Sequence, residues 1–542
     1  MSMPLPWRER VERLPSAWLA ALLAGFAFLV YAGAIPSGFV FDDEFAILGS
    51  PVVQGTVPLG EAFVRDFWGR LPGAPNAIGT YRPLPVLLLA LEWRLGGGAA
   101  WVMHLGNVLW HSATIALFFL AFAPRVGRRL AFVAAALAAV LCAPSEAVQA
   151  LVGRADLMCA FFVLLALCFH GRQGAGATVA AAVSFGLALG SKESAIAALP
   201  AFWVLDRLVR AGSPPRLGRY VTYGLVTGGY LLLRSRAVGA ALRPTIDPQS
   251  NPLLQAAPLE QMLGAGRVFL ERYVAGIVAP GRRLYECSAM ACGPASADDV
   301  VAWAGVALAL LLALSPLLLW RRAPRAAAGL AWFVIFFLPV SNFLVLSPSL
   351  YGERLLYLPL FGAVLALVDG ADALARRVAR PALAWGIVAA LGLANLAALQ
   401  VRHLDWRTDL ALYASGLELA DTSAKVHKNV AVALMKAEEW VPAELHARRS
   451  LELWPGNVTT RSLLGMSLAM QGRTQEAEAE FRQALTVNQA GEVVCPFAVF
   501  LARQQRFAEA LELVRAHAER VARAPVCTGL TQQLEAAAGG AR

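Results

Sequence analysis

Residues 17–36 read AWLAALLAGFAFLVYAGAIP, and soon after them comes Val40-Phe41-Asp42-Asp43-Glu44-Phe45. An uncharged apolar run of about 20 residues is what a helix needs to cross the hydrocarbon core of a bilayer. The chain therefore enters a membrane with its first span and leaves it into three consecutive carboxylates. Charges at or within a membrane are costly and mark functional sites. Alone, the triplet reads equally well as the start of a solvated loop, so the rest of the chain has to decide.

Over 542 residues, 58% are hydrophobic and only 15% charged. Apolar runs recur along the first 400 residues, which makes the chain an all-α, polytopic membrane protein. About eleven spans are expected. They are Ala17 to Pro36, Trp101 to Phe122, Leu130 to Leu151, Asp156 to Phe169, Thr178 to Leu189 and Ala195 to Leu208. Tyr220 to Arg234, Val301 to Trp320, Ala326 to Val345, Leu355 to Val368 and Ala382 to Gln400 complete the set. Pro83 to Leu95 is too short and reads as re-entrant or interfacial. Asn251 to Pro280 carries Glu260, Arg267, Glu271 and Arg272 at helical spacing and reads as a helix lying on the surface.

The net charge of +10 comes almost wholly from arginine. In a membrane protein this is a topology signal before it is a nucleic-acid signal, and no nucleic-acid partner is expected. Arg8, Arg10 and Arg13 precede an apolar run with no convincing cleavage site, so an uncleaved first span is expected. With a cytoplasmic N-terminus, alternate loops carry Arg125, Arg128 and Arg129; Arg172; Arg207, Arg210, Arg216 and Arg219; Arg321, Arg322 and Arg325; and Arg376, Arg377 and Arg380. Eleven spans then put Asp42, Asp43 and the C-terminal region on the non-cytoplasmic side.

Two domains are expected, 1–400 in the membrane and 401–542 outside it. In the second, Ala443, Ala477 and Ala510 recur at intervals of 34 and 33 residues, with Gly465, Gly472, Phe481 and Ala484 around the middle one. That is tetratricopeptide (TPR) spacing, an α-solenoid of about three repeats of a kind that holds peptides or proteins. Cys287 with Cys292 and Cys495 with Cys527 are candidate disulfides if they face an oxidising compartment. Cys142, Cys159 and Cys168 lie in predicted spans as inert apolar residues.

Polar clusters interrupt the apolar part on the predicted outer side: Asp42-Asp43-Glu44, Tyr81-Arg82-Pro83, Glu146 with Arg154 and Asp156, Lys192-Glu193, and Glu353-Arg354. Lys192 is the only lysine in the first 400 residues. Singly, each reads as an ion pair or an interfacial anchor. Five together describe a charged cavity at the membrane surface. A lipid-linked sugar phosphate suits that inventory. Arg82, Arg154, Lys192 and Arg354 are candidates to hold the leaving phosphate, and Asp42 or Asp43 to take a proton from an acceptor hydroxyl. Two aspartates and a glutamate form no complete metal-ligand set, so no metal or other cofactor is expected to be required.

Phe41-Asp42-Asp43, Tyr81-Arg82-Pro83-Leu84, His104 through His111, Ser145-Glu146-Ala147-Val148, Gly153-Arg154-Ala155-Asp156-Leu157, Lys192-Glu193 and Glu353 through Pro359 resemble, in order, the motifs of the transmembrane and tetratricopeptide-repeat O-mannosyltransferases. The resemblance covers nearly the whole chain. It implies a GT-C glycosyltransferase fold and a polyprenyl-phosphate donor used outside the cytoplasm. It also implies inverting transfer with Asp42 as base and Asp43 placing the acceptor. Donor-side residues are then Arg82, Arg154, Asp156, Lys192, Glu193, Glu353 and Arg354, and acceptor-side residues Glu44, Tyr81 and Glu146. Ala143-Pro144-Ser145-Glu146 departs from the family's His-Pro-x-x-Thr-Glu, and Ser250-Asn251-Pro252 only partly matches its Asp-Asn-Pro. The Ala- and Arg-rich, lysine-poor composition points to a bacterial inner membrane with undecaprenyl phosphate as carrier, the site and repeats being periplasmic and the repeats holding an acceptor protein. Two rivals remain: a catalytically silent membrane scaffold, and a lipid-linked glycosyltransferase or ligase with a glycan acceptor.

Overall fold

A computed structural model describes residues 11–72, 79–209, 217–239, 250–281, 284–287, 292–522, 527 and 529–540, and no strand occurs among them. Arg8, Arg10, Arg210 and Arg216 of the basic pattern lie outside the described residues. The chain divides into two compact units, Met1–Ala411 and Leu412–Arg542. The division falls beyond residue 400 because the last helix of the first unit, Pro381–Asp405, runs past it. Its end is fastened inside that unit, where Arg402 pairs with the fully buried Glu353 at 3.1 Å.

In the first unit, helix Ala100–Val126 is the hub, packing against Ser16–Tyr31, Arg128–Val140 and Arg154–His170. Burial separates inner from outer helices. The apolar window of Leu151–His170 is 78% buried, whereas that of Val300–Leu319 is 17% and that of Pro381–Asp405 28%. A nearly uncovered helix that is apolar all round is a membrane helix facing lipid. Six helices are long and apolar enough to span: Ser16–Ala34, Ala100–Val126, Leu151–His170, Val300–Leu319, Glu353–Ala375 and Pro381–Asp405. Ala175–Ser191 and Pro324–Val340 are shorter apolar helices. The protein is a multi-pass membrane protein, with six of the eleven expected spans meeting these limits among the described residues.

One expected span breaks. Leu130 to Leu151 does not continue as a helix. Helix Arg128–Val140 ends at Leu141, whose backbone is extended, and is followed by the short helix Glu146–Gln149 and a 3-10 turn at Leu151–Gly153. Pro144 disfavours helix at the residue before it. The freed backbone is re-satisfied from elsewhere: Cys142 N donates to Asn395 Oδ1 at 3.1 Å. The break brings Glu146 into the interior. Asn251 to Pro280 also differs from expectation. Its helix Pro258–Val268 buries Leu263 to Val268 in large part and packs on Val300–Leu319, with Gly266 against Gly305 so closely that a Cβ on either would overlap the other backbone. Small residues let helices approach in this way.

Helix Arg154–His170 has 17 residues, so its ends lie about 25 Å apart. At its C-terminal end Arg219 donates to the carbonyls of Phe169 (3.3 Å) and Arg172 (3.0 Å), and Arg125 to that of Leu167 (3.0 Å). Arginines of the predicted basic loops thus cap a helix C-terminus, where unpaired carbonyls favour cations. The acidic and basic clusters gather at the other end.

The second unit is built of helix pairs: Ala424–Lys436 with Trp440–Leu453, Val458–Met470 with Thr474–Val487, and Gly491–Arg503 with Phe507–Ala516. Ala443, Ala477 and Ala510 are fully buried between the helices. The turn inside each pair carries one residue of positive φ: Glu438 (62°), Gly472 (79°) and Gln505 (61°). These repeat at the same 34- and 33-residue spacing as the alanines. Only the middle pair has glycine where the left-handed turn asks for it. Cys495 and Cys527 form a disulfide in this unit, and Cys287 and Cys292 one in the first.

Candidate functional site

The loop after the first span is held by its own acids and by distant ones. Phe41 adopts a positive φ of 60°, a strained choice for a bulky side chain. Its N–H donates to Asp409 Oδ1 at 2.8 Å, and its ring meets that of Tyr285 edge-on. Asp42 and Asp43 then go separate ways. Asp43 is fully buried, and its two oxygens accept from Val152 N (3.0 Å) and Val40 N (3.3 Å). It clamps the loop to the turn that precedes Arg154. Burial, with Asp42 alongside, overrides those hydrogen bonds and pushes the Asp43 carboxyl up to about 7. Asp42 keeps 23% of its side chain exposed and faces Arg354, Oδ2 to Nη2 at 3.6 Å.

Arg354 links this loop to Glu146. Its backbone N–H donates to Glu146 Oε2 at 2.9 Å and its guanidinium pairs with Oε1. The Glu146 side chain is 1% exposed, so it fixes the cation and cannot itself meet a large substrate. Two further pairs lie at neighbouring helix ends. Lys192, at the end of helix Ala175–Ser191, binds Asp156 in the first turn of Arg154–His170 at 2.6 Å. Arg82, capping helix Pro83–Leu95, makes a two-pronged pair with Glu193 at 3.0 and 2.6 Å and lies over the Phe67 ring. Burial opposes the Arg82 charge and Glu193 favours it, and both Asp156 and Arg354 act on the same guanidinium. The three pairs are thus within electrostatic reach of one another.

Asp42, Arg354, Glu146, Lys192, Asp156, Arg82 and Glu193 are therefore brought together. Glu193 is the most exposed partner, at 42%. Arg82 is thus the cation of the three pairs whose carboxylate partner is the most open to solvent. Glu44 begins a π-helical turn, Glu44–Leu48, and is partly exposed beside Asp42. Tyr81 is buried, and its hydroxyl has no hydrogen-bond partner among the described residues.

Four predicted residues serve elsewhere: Asp43 and Glu146, expected to place or meet the acceptor, are the buried clamps just described, and Arg154 and Glu353 are buried braces. Arg154 was expected to hold phosphate, but its side chain is wholly buried. It forks onto Glu92 at 2.7 and 2.9 Å, and also donates to Asn107 Oδ1 (2.5 Å) and the Met103 carbonyl (2.8 Å). A guanidinium so occupied is a brace. Gly106 makes room for it, since a Cβ there would strike both Glu92 and Arg154. Glu353 is likewise buried, held by Arg402 and by Ser145 Oγ at 3.4 Å. Sequence reasoning missed Glu92, Asn107 and Arg402. Glu92 stands alone as an acid in an apolar helix, and such an acid needs a buried cation. Among the described residues, no three His, Cys, Asp or Glu side chains gather as a metal site.

The Asp43 clamp predicts a pH effect. A carboxyl raised in the folded state favours folding while protonated, and that contribution is lost as pH rises from about 4 to about 7. The thermal midpoint of the wild type should fall over that interval relative to Asp43→Asn. Parallel pH profiles for the two proteins would show that Asp43 is not so buried.

No protein-family model matches the chain. Its similarity to curated proteins is broad. It is 28% identical over 478 residues to the protein O-mannosyl-transferase TMTC4 of Homo sapiens, covering 77% of this chain and 64% of the human one. The chain is similar to protein O-mannosyl-transferases over most of its length. The Caenorhabditis elegans protein O-mannosyl-transferase F38B6.6 is 27% identical, with 76% and 59% covered, and human TMTC1 27%, with 85% and 58% covered. The chain thus spans about three-fifths of the length of these O-mannosyl-transferases. Among solved structures, ArnT from Cupriavidus metallidurans bound to undecaprenyl phosphate aligns over 87% of this chain and 80% of its own, at a TM-score of 0.39 and 14% identity.

Proposed function

We propose that the protein is a membrane glycosyltransferase that moves a hexose, mannose by family likeness, from a polyprenyl-phosphate donor to a serine or threonine hydroxyl of a protein. The observation that carries this reading is Asp42: a partly exposed carboxylate set 3.6 Å from Arg354, among three charge pairs at one end of the helix bundle. Asp42 takes the hydroxyl proton as the acceptor oxygen bonds to the sugar's anomeric carbon. The bond to the phosphate oxygen breaks with its electron pair, and Arg82, Lys192 and Arg354 receive the charge. Attack from the side opposite the phosphate inverts the sugar.

A site outside the cytoplasm fits the arginine caps at the far end of Arg154–His170. It also fits each disulfide taken by itself, since such bonds persist in oxidising compartments. The lysine-poor composition favours a bacterial inner membrane and undecaprenyl phosphate. The repeat unit serves acceptor binding. A silent scaffold has no use for charge pairs at the ends of membrane helices, where each ion costs free energy.

The test is to supply the reconstituted protein with radiolabelled polyprenyl-phosphate mannose or glucose and a Ser/Thr-rich protein. Mannose recovered on hydroxyl side chains by mass spectrometry is expected. Consumption of neither donor would leave the scaffold; label on a glycan would change the acceptor.

A further inference from the structure

Phe41 stands immediately before the proposed base and holds a positive φ of 60°. A bulky side chain keeps such a backbone only where its surroundings enforce it. Two hydrogen bonds from one short stretch after helix Pro381–Asp405 do so. Gly38 N–H donates to the Arg407 carbonyl at 3.1 Å, and Phe41 N–H to Asp409 Oδ1 at 2.8 Å. The Gly38 carbonyl in turn accepts from His104 Nε2 at 2.9 Å. Asp43 anchors the chain just past Asp42, through Val152 N–H. Asp42 is thus carried between two fixed residues and faces Arg354. Asp409 begins helix Asp409–Leu417, yet the cap of that helix is Thr408, whose Oγ1 accepts from Ala411 N–H at 3.2 Å. Asp409 is therefore not needed to start the helix. It is also only partly buried, so truncating it opens no core cavity.

We infer that Asp409 is a positioning residue for sugar transfer. It holds the Phe41 N–H, and with it the strained backbone that turns Asp42 toward Arg354 and Asp43 toward Val152. The inference rests on the reading of Asp42 as base. Without Asp409, Phe41 relaxes to a negative φ and Asp42 leaves its place. The cations proposed to meet the donor keep their other partners, Arg354 on Glu146, Lys192 on Asp156 and Arg82 on Glu193. The loss therefore falls on turnover and not on donor binding.

Asp409→Ala should lower kcat about 10- to 100-fold, the scale of a misplacement by about an ångström, with donor KM changed less than about twofold. Asp409→Asn, which keeps an acceptor at Oδ1, should recover most of that rate. In an Asp42→Asn background, Asp409→Ala should cost nothing more, because the group it places is already gone. Hydrogen exchange, read by mass spectrometry on the whole protein in lipid nanodiscs, should quicken over residues 38–43 in Asp409→Ala and not in Asp409→Asn. Wild-type kcat in Asp409→Ala, an equal loss in the Ala and Asn variants, or a full further loss on top of Asp42→Asn would overturn the inference. Unchanged exchange over residues 38–43 in Asp409→Ala would do so without any sugar being transferred. If Asp42→Asn transfers at the wild-type rate, the base assignment fails and takes this inference with it. If Asp42→Asn is impaired and Asp409→Ala is not, only Asp409 loses its role.

Discussion

Asp42→Asn should lower sugar transfer by about 10³-fold while the protein still inserts and melts near the wild-type temperature. General-base catalysis contributes roughly 10² to 10⁴ in rate, and an amide cannot take the proton. The structural cost is small because the Asp42–Arg354 pair is 3.6 Å long with both side chains 23% exposed. A long, partly exposed pair of this kind contributes about 0–1 kcal/mol. Asn also keeps an acceptor oxygen toward Arg354. The contrast with the next residue sharpens the test, since Asp43 holds backbone N–H groups of two segments and its loss acts on loop geometry and stability. The measurement is turnover with labelled donor beside a thermal melt of the same preparation. Transfer at wild-type rate by Asp42→Asn would remove it as base, and equal melting losses in the two variants would deny that their roles differ.

The convergence of Asp42, Arg354, Lys192 and Arg82 was legible in the sequence for a physical reason. In an apolar chain, every charge needs a partner, and charges at successive helix ends on one side have only one another. The repeat unit was legible because close helix packing demands a small residue at each crossing, so Ala443, Ala477 and Ala510 announce themselves. What stayed hidden are partners supplied by backbone or by remote short elements. Nothing in Asp42-Asp43 says that Val152 N–H waits for the second and not the first. The break at Leu141 was masked by unbroken hydropathy, although Pro144 was its signal. Spacing tells which residues share an end of the bundle, not which way each side chain turns, so the five clusters look from sequence like one pocket.

Arg154→Met should destabilise the protein by about 3–5 kcal/mol, the usual cost of removing one member of a buried ion pair. Glu92 would keep a carboxylate 15% exposed with its cation gone, and Asn107 would lose the donor at its oxygen. Glu92→Leu alone should cost a similar amount by stranding the guanidinium. Together, Arg154→Met and Glu92→Leu should recover most of the loss, because an apolar pair of similar volume often replaces a buried salt bridge with little penalty. Transfer should recover with stability, since no part of this brace need touch the donor. A phosphate-binding Arg154 behaves differently: the single variant would melt normally with a raised donor KM, and the double variant would stay impaired. Melting curves and donor KM for the four proteins of this cycle therefore decide whether Arg154 holds the fold or the substrate. The full occupancy of its guanidinium by Glu92, Asn107 and Met103 assigns it to the fold.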